Sequence, residues 1–316
     1  MAKIAITDWA NLDPTPAVEV LERAGHEAVL LNSTSVEKLL AEAADADGII
    51  ASFIELSADT LRVMPNLKVI ATMAVGYNKI DTAVARELGI DVCNMLSAAS
   101  EEVATHALTG MLGMLREVAP AVAQVKGGEW DYSVLPLPTR LSEQTLGLFS
   151  LGRISREVAR RALPFFKNVV AFDPFVPADA WEPGVTRVDS VDELLAASNV
   201  LSLHALLTDE THGFLNAENI AKLPRGAYVV NVARGELIDD AALLAGLDSG
   251  HLRGAFLDVL DVEPPAADNP VVAHPLVQVT PHVAFRSEVT LREYAEIPAE
   301  NVTLVLSGQK PHTLVN

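Results

Sequence analysis

Three ionisable side chains stand at or near the ends of apolar runs in the second half of this 316-residue chain: Arg234 in VVNVARGELIDD, Glu263 in LDVLDVEPP and His282 in VTPHVAF. Taken singly, each reads as a solvated surface charge. Taken together, their types suit the reduction of a 2-keto acid by hydride transfer, which needs a cation for the carboxylate and carbonyl and an acid for the forming alkoxide. Arginine offers a planar fork of donors for the first task. Histidine suits the second because its pKa lies near working pH, and a neighbouring carboxylate raises that pKa and fixes the tautomer. Glu263 is the candidate neighbour. His274 and His282 lack a metal-ligand spacing, so no metal site is expected. Of the other histidines, His26, His251 and His312 read as exposed, and His106 as part of a helix beginning near Ser100.

Such a reaction needs a hydride carrier, and the stretch TLGLFSLGRISREVARRALPFF, residues 145 to 166, has the form of a phosphate cradle. A short apolar run ends at a turn and passes into an amphipathic helical pattern. The dinucleotide fingerprint G-x-G-x-x-G is degenerate here, with Ser150 and Ser155 at the outer positions and Gly152 in the middle. The middle glycine is the one that lets the backbone approach a pyrophosphate, and affinity for phosphate comes from the helix N-terminus rather than from side chains. About 20 residues further on, Asp173 ends the run NVVAFD, where a carboxylate would accept from an adenosine ribose. Its charge would repel a 2′-phosphate, and Pro174 and Phe175 supply no compensating cation, which favours NAD over NADP.

The elements that must position these residues are legible as an alternation. KIAIT, EAVLLN, GIIAS, LKVIATM and IDVCNM read as strands separated by helical patterns, and after a helical stretch from about Ser100 to Val125 the alternation restarts with LGLFSL, NVVAFD, VLSLHAL, AYVVNVA, RGAFLDV and VQVTPHV. This order predicts an α/β chain with two successive doubly wound parallel sheets. Half of the residues are apolar, enough for two cores. The formal net charge of −19 argues against a nucleic-acid partner, no apolar run predicts a membrane span, and the N-terminal residues lack a secretory pattern. The one cysteine, Cys93, reads as a buried structural thiol and fits a reducing, cytoplasmic compartment.

In order and spacing, LGRISREVARRA, FDP, NVARGELIDDAAL, GAFLDVLDVEPP and TPHVAF resemble the D-isomer-specific 2-hydroxyacid dehydrogenase family, and MAVGYNKIDTAVARELGIDVCNM resembles its substrate-loop region. The resemblance implies catalytic roles for Arg234, Glu263 and His282, and substrate-carboxylate binding by the backbone amides of Val75 and Gly76. It implies cofactor contacts at Gly152, Arg153, Ile154, Asp173, His204, Val232, Ala233 and Asp258, the last to the nicotinamide carboxamide. It further implies a flavodoxin-like substrate domain over residues 1–98 and 285–316, a Rossmann cofactor domain over 99–284, and a homodimer. The chain departs from the family at Ser150 and Ser155, and also at Thr105 and Leu206, where Glu and Pro are frequent. Specificity is expected from Phe53, Tyr77 and Phe285. Two alternatives share this scaffold: a phosphite-type dehydrogenase and a cofactor-sensing interaction protein without catalysis.

Overall fold

The structure, a computed structural model, describes residues 1–9, 12–95 and 98–316. The chain divides into two compact units, Met1–Ala98 with Arg286–Asn316, and Ala99–Phe285. Phe285, expected in the first unit, falls in the second.

In the first unit the order is β1 (Lys3–Ile6), α1 (Thr15–Arg23), β2 (Glu27–Leu30), α2 (Val36–Ala43), β3 (Gly48–Ala51), α3 (Ala58–Arg62), β4 (Val69–Thr72), α4 (Thr82–Glu87) and β5 (Asp91–Cys93). The five strands pair in parallel in the order β2-β1-β3-β4-β5, the flavodoxin-like arrangement. The central strands β3 and β4 are buried throughout, as a parallel sheet covered on both faces requires. At the carboxyl end of β1 the buried Asp8 carboxylate accepts from the Thr7 hydroxyl at 2.9 Å and from the backbone N–H groups of Phe53 and Ile54 at 2.6 and 3.2 Å, fixing the loop that follows β3.

The second unit begins with α5 (Ser100–Leu115) and α6 (Val118–Lys126), continues through β6 (Thr145–Phe149), α7 (Arg153–Ala162), β7 (Asn168–Phe172), β8 (Thr186–Arg187), α8 (Val191–Ala197), β9 (Val200–Leu203), α9 (Ala217–Lys222), β10 (Ala227–Asn231), α10 (Asp240–Asp248) and β11 (Leu252–Leu257), and ends with α11 (Pro270–Ala273) and β12 (Val277–Val279). All seven strands are parallel, in the order β12-β11-β10-β9-β6-β7-β8, so the strand order reverses at the β6–β9 boundary. That reversal leaves a crevice at the carboxyl ends of β6 and β9. The last helix of the chain, α12 (Glu288–Leu306), belongs to the first unit and packs on α1 and β4.

The single helix expected from Ser100 to Val125 is two. Pro120 has no N–H and its ring would meet the carbonyl of Arg116 in a continuous helix. The chain breaks there instead, with Glu117 in the left-handed region at φ 55°. Two histidines expected to be exposed are partly buried. His26 has a buried Nδ1, and His251 Nε2 lies 2.9 Å from the Ile220 carbonyl. Cys93 is fully buried, and burial pushes its thiol up to about 12. No helix among the described residues is long and apolar enough to cross a membrane.

Replacing Asp8 with Ala removes the acceptor of the buried Ile54 N–H and of the part-buried Phe53 N–H, while the Thr7 hydroxyl keeps the Ile50 carbonyl at 3.3 Å, and a buried donor without a partner costs about 1–3 kcal/mol. Asp8→Ala should therefore lower the unfolding free energy by about 2 kcal/mol or more, read from the urea midpoint at unchanged slope.

Candidate active site

The expected cradle lies at the crevice. β6 ends at Phe149, Ser150 turns the chain with φ 79°, and Gly152 is the N-cap residue of α7. Serine in this left-handed conformation is strained, and its surroundings hold it. Its hydroxyl donates to Asp173 Oδ2 at 3.1 Å, and the Leu151 N–H reaches the same oxygen at 2.8 Å. Ser155 is fully buried and returns its hydroxyl to the Ser150 carbonyl at 2.7 Å. Both substitutions of the outer glycines are thereby absorbed by hydrogen bonds within the turn.

A Cβ built on Gly152 would meet no protein atom within 4 Å, and its backbone is extended rather than left-handed. Neither packing nor conformation requires glycine here. What a side chain would fill is the space in front of the first turn of α7, where the helix dipole and amide hydrogens favour an anion. The residues present therefore fit a dinucleotide. Arg153 and Ile154 form the first turn of α7 behind it.

Asp173 is buried, and its carboxylate carries more than one duty. Oδ2 is occupied by Ser150 and Leu151, and Oδ1 accepts from the Phe175 N–H at 2.9 Å. A carboxylate oxygen has two lone pairs, so Oδ1 keeps one acceptor site for a ribose hydroxyl. His204 follows β9 at the same crevice, with its N–H on the Phe149 carbonyl at 3.0 Å and its Nε2 2.8 Å from the Ser202 hydroxyl. Burial pushes its imidazole down to about 4, so it is neutral at physiological pH.

At the carboxyl end of β10, Val232 is buried and Ala233 half-buried, and the exposed Arg234 opens the following turn. Asn231, fully buried, shapes that turn by donating from Nδ2 to the Arg234 carbonyl at 2.8 Å and accepting the Ala233 N–H at 3.0 Å. A Cβ on Gly235 would overlap the backbone of Leu260 and Asp261, so the Arg234 turn lies directly against the loop that carries Glu263.

Glu263 and His282 meet. The Glu263 Oε2 to His282 Nδ1 distance is 2.7 Å, and Glu263 Oε1 accepts the Leu260 N–H at 2.9 Å. Partial burial raises the Glu263 carboxyl, but the His282 and Leu260 hydrogen bonds outweigh it and hold the group below its usual range. The hydrogen bond to Glu263 lifts the His282 imidazole above its ordinary 6.5. Burial and the positive charge of Arg234 oppose that lift, and the charges of Glu263 and Asp258 support it. With Nδ1 committed to the carboxylate, Nε2 is the nitrogen able to exchange a proton.

Asp258, expected at a nicotinamide carboxamide, has its carboxylate turned inward. It is 1% exposed and accepts from the Thr280 hydroxyl and the N–H groups of Val283 and Ala284. Its backbone carbonyl also accepts the His282 N–H at 2.9 Å. Val75 and Gly76 lie in the first unit, on the loop after β4, where the Val75 carbonyl accepts from Asn94 Nδ2 at 2.7 Å. Asn231, Gly235 and Thr280 were not legible as site residues, although the Asn231 side chain two residues before a backbone amide follows a known turn habit.

Residues 108–284 match the family described as D-isomer specific 2-hydroxyacid dehydrogenase, NAD binding domain. The chain is 36% identical, over 318 residues, to the D-3-phosphoglycerate dehydrogenase of Methanocaldococcus jannaschii, spanning all of this chain and 60% of that protein. It is 32% identical over 291 residues to the glyoxylate reductase of Thermofilum pendens, covering 89% of this chain and 85% of that one. A crystal structure of a protein from Thermus thermophilus superposes with a TM-score of 0.90 at 34% identity, covering 99% of this chain and all of the other. The chain belongs to the D-isomer specific 2-hydroxyacid dehydrogenase family and carries its NAD-binding domain. It spans little more than half the length of the phosphoglycerate dehydrogenases it matches.

Gly152→Val separates a glycine kept for a ligand from one kept for the fold. It should leave the unfolding free energy within about 1 kcal/mol of the parent, because the added Cβ meets no protein atom within 4 Å. NADH binding, followed by quenching of protein fluorescence, should weaken at least about tenfold.

Proposed function

We propose that this chain interconverts a small 2-keto acid and its D-2-hydroxy acid using NAD, with His282 as general acid and base. The observation that carries the reading is the 2.7 Å contact between His282 Nδ1 and Glu263 Oε2. Bound nicotinamide supplies the hydride for reduction and takes it up in oxidation. His282 donates a proton from Nε2 to the carbonyl oxygen in one direction and removes the hydroxyl proton in the other. Glu263 stays ionised, holds the ring in its plane and stabilises the imidazolium. Arg234 binds the substrate carboxylate, reducing the entropic part of the barrier. The family resemblance adds the amides of Val75 and Gly76 to that carboxylate contact.

The cradle at Gly152, the first turn at Arg153 and Ile154, and the crevice residues Asp173, His204, Val232 and Ala233 form the proposed cofactor surface. The remaining acceptor on Asp173, followed in sequence by Pro174 and Phe175, which supply no cation, supports NAD over NADP. We also propose a cytoplasmic homodimer. Supporting the dimer, Trp130, Tyr132 and Leu137 are nearly nine-tenths exposed on the loop after α6, an apolar display suited to a second copy. Sedimentation at a molecular mass near 34 kDa would overturn it.

Steady NADH oxidation with glyoxylate, hydroxypyruvate or pyruvate, and no NADH formation from NAD with phosphite, is the expected pattern; NADH formation with phosphite and no turnover of keto acids would replace the reading. His282→Ala should lose at least about a hundredfold in kcat while NADH still binds. In the wild type, the reduction rate should be level at low pH and fall as pH rises through the raised His282 pKa, because the acid must be protonated. Glu263→Gln removes the hydrogen bond and charge of Glu263, which contribute most to raising that pKa, and leaves the Asp258 charge alone against burial and Arg234, which lower it. The descending limb should therefore move to lower pH, and a limb that stays in place would detach Glu263 from the mechanism.

A further inference from the structure

One titratable side chain beside the proposed acid–base pair has no part in the reaction as written above. His106 lies on α5, with Nε2 3.0 Å from Thr280 Oγ1 and 3.4 Å from Asp258 Oδ1. Its ring packs against Phe256 on β11, with centroids 5.4 Å apart. One turn along α5, a Cβ on Gly110 would overlap that same Phe256 ring, so the glycine lets the helix lie close enough to β11 for His106 to reach across.

The direction of each hydrogen bond follows from the partners. Asp258 offers only acceptors, so the Thr280 hydroxyl spends its proton on Oδ1, at 2.5 Å. Thr280 Oγ1 then has only lone pairs left for His106, and His106 must carry its proton on Nε2. The far side of Asp258 meets the chain that bears the proposed acid. The His282 N–H reaches the Asp258 carbonyl at 2.9 Å, the Val283 N–H reaches Oδ1 at 3.0 Å, and the Ala284 N–H reaches Oδ2 at 2.9 Å. Three consecutive amides are held by one residue.

That hold is needed. His282 adopts φ 50°, a conformation that costs a non-glycine residue of order 1–3 kcal/mol and persists only where surrounding bonds impose it. Released, the residue would move to an ordinary backbone region and swing its ring away from Glu263. Asp258 can impose the turn only while it remains a fully bonded anion, since a buried carboxylate short of donors takes up a proton or admits water.

We propose that His106 is a positioning residue: by donating from Nε2 into the Thr280–Asp258 pair it maintains the left-handed turn at His282, and with it the His282–Glu263 contact. The inference rests on the reading of His282 as the acid–base group, and its test has an arm that needs no turnover. In full-length protein carrying 15N-labelled histidine, the titration of His282 is followed by NMR alongside steady-state kinetics with the preferred keto acid. His106→Phe should move the His282 titration down toward 6.5 and lower kcat about tenfold, with KM within about twofold. His106→Gln, whose amide nitrogen stands near the position of Nε2, should keep both within about twofold of the parent. An unmoved His282 titration in the Phe variant overturns the proposal, as does a Gln variant no better than Phe. A wild type that turns over no keto acid removes the dehydrogenase reading, while the NMR arm still decides whether His106 holds His282. Should the Phe variant fail to fold, Thr280→Val, nearly equal in shape, breaks the same link and is read the same way.

Discussion

A buried anion must have its acceptors filled, and in this molecule that requirement fixes the reactive centre. Asp258 follows β11 almost fully enclosed, where burial alone would raise its carboxyl. Hydrogen bonds from His106, Thr280, Val283 and Ala284 outweigh the burial and keep the group below its usual range. The donors that satisfy it are the amides of the segment containing His282. Electrostatic necessity at one buried carboxylate thus sets the backbone of a residue proposed to touch the substrate. The same economy recurs at Asp8 and Asp173, each a buried carboxylate following a strand and each binding the chain that carries nearby loops.

Close backbone approach is the second organising constraint. Gly235 brings the turn after β10 against Leu260 and Asp261, and Gly110 brings α5 against Phe256. Arg234 and Glu263 start from different strand ends, and without a contact too tight for a methyl group their charges would act on separate parts of the surface. Arg234 opposes the rise in the His282 pKa while Glu263 and Asp258 promote it, so the imidazole sits where neighbouring charges of both signs balance.

Much of this was readable from residue order. Periodicity located eleven of the twelve strands among the described residues, because parallel strands buried on both faces write themselves as apolar runs. The two-residue edge strand Thr186–Arg187 has both side chains exposed and leaves no such trace. The break at Glu117 was announced only by Pro120, which is also tolerated in the first turn of a new helix and so does not by itself mark an end. His282 and Glu263 could be paired because both stand near strand ends. His106 could not be placed with them, for it is a helix residue more than 150 positions away, brought in by packing of α5 on β11. His251 read as exposed because the carbonyls that surround its ring, those of Ile220 and Leu223, belong to another element.

The double employment of Asp173 bears on how such a chain can change its coenzyme. Exchange of an acidic residue at this place for a neutral or basic one is the obvious route to accepting a phosphorylated ribose. Here that exchange would also strip Ser150, Leu151 and Phe175 of their acceptor, and a serine left in a left-handed turn without its bond has little reason to stay there. On the proposed reading, coenzyme preference and the integrity of the phosphate loop are written into one side chain. An altered preference would have to arise by adding cations around the carboxylate, or by restoring glycine at position 150 before the carboxylate is given up.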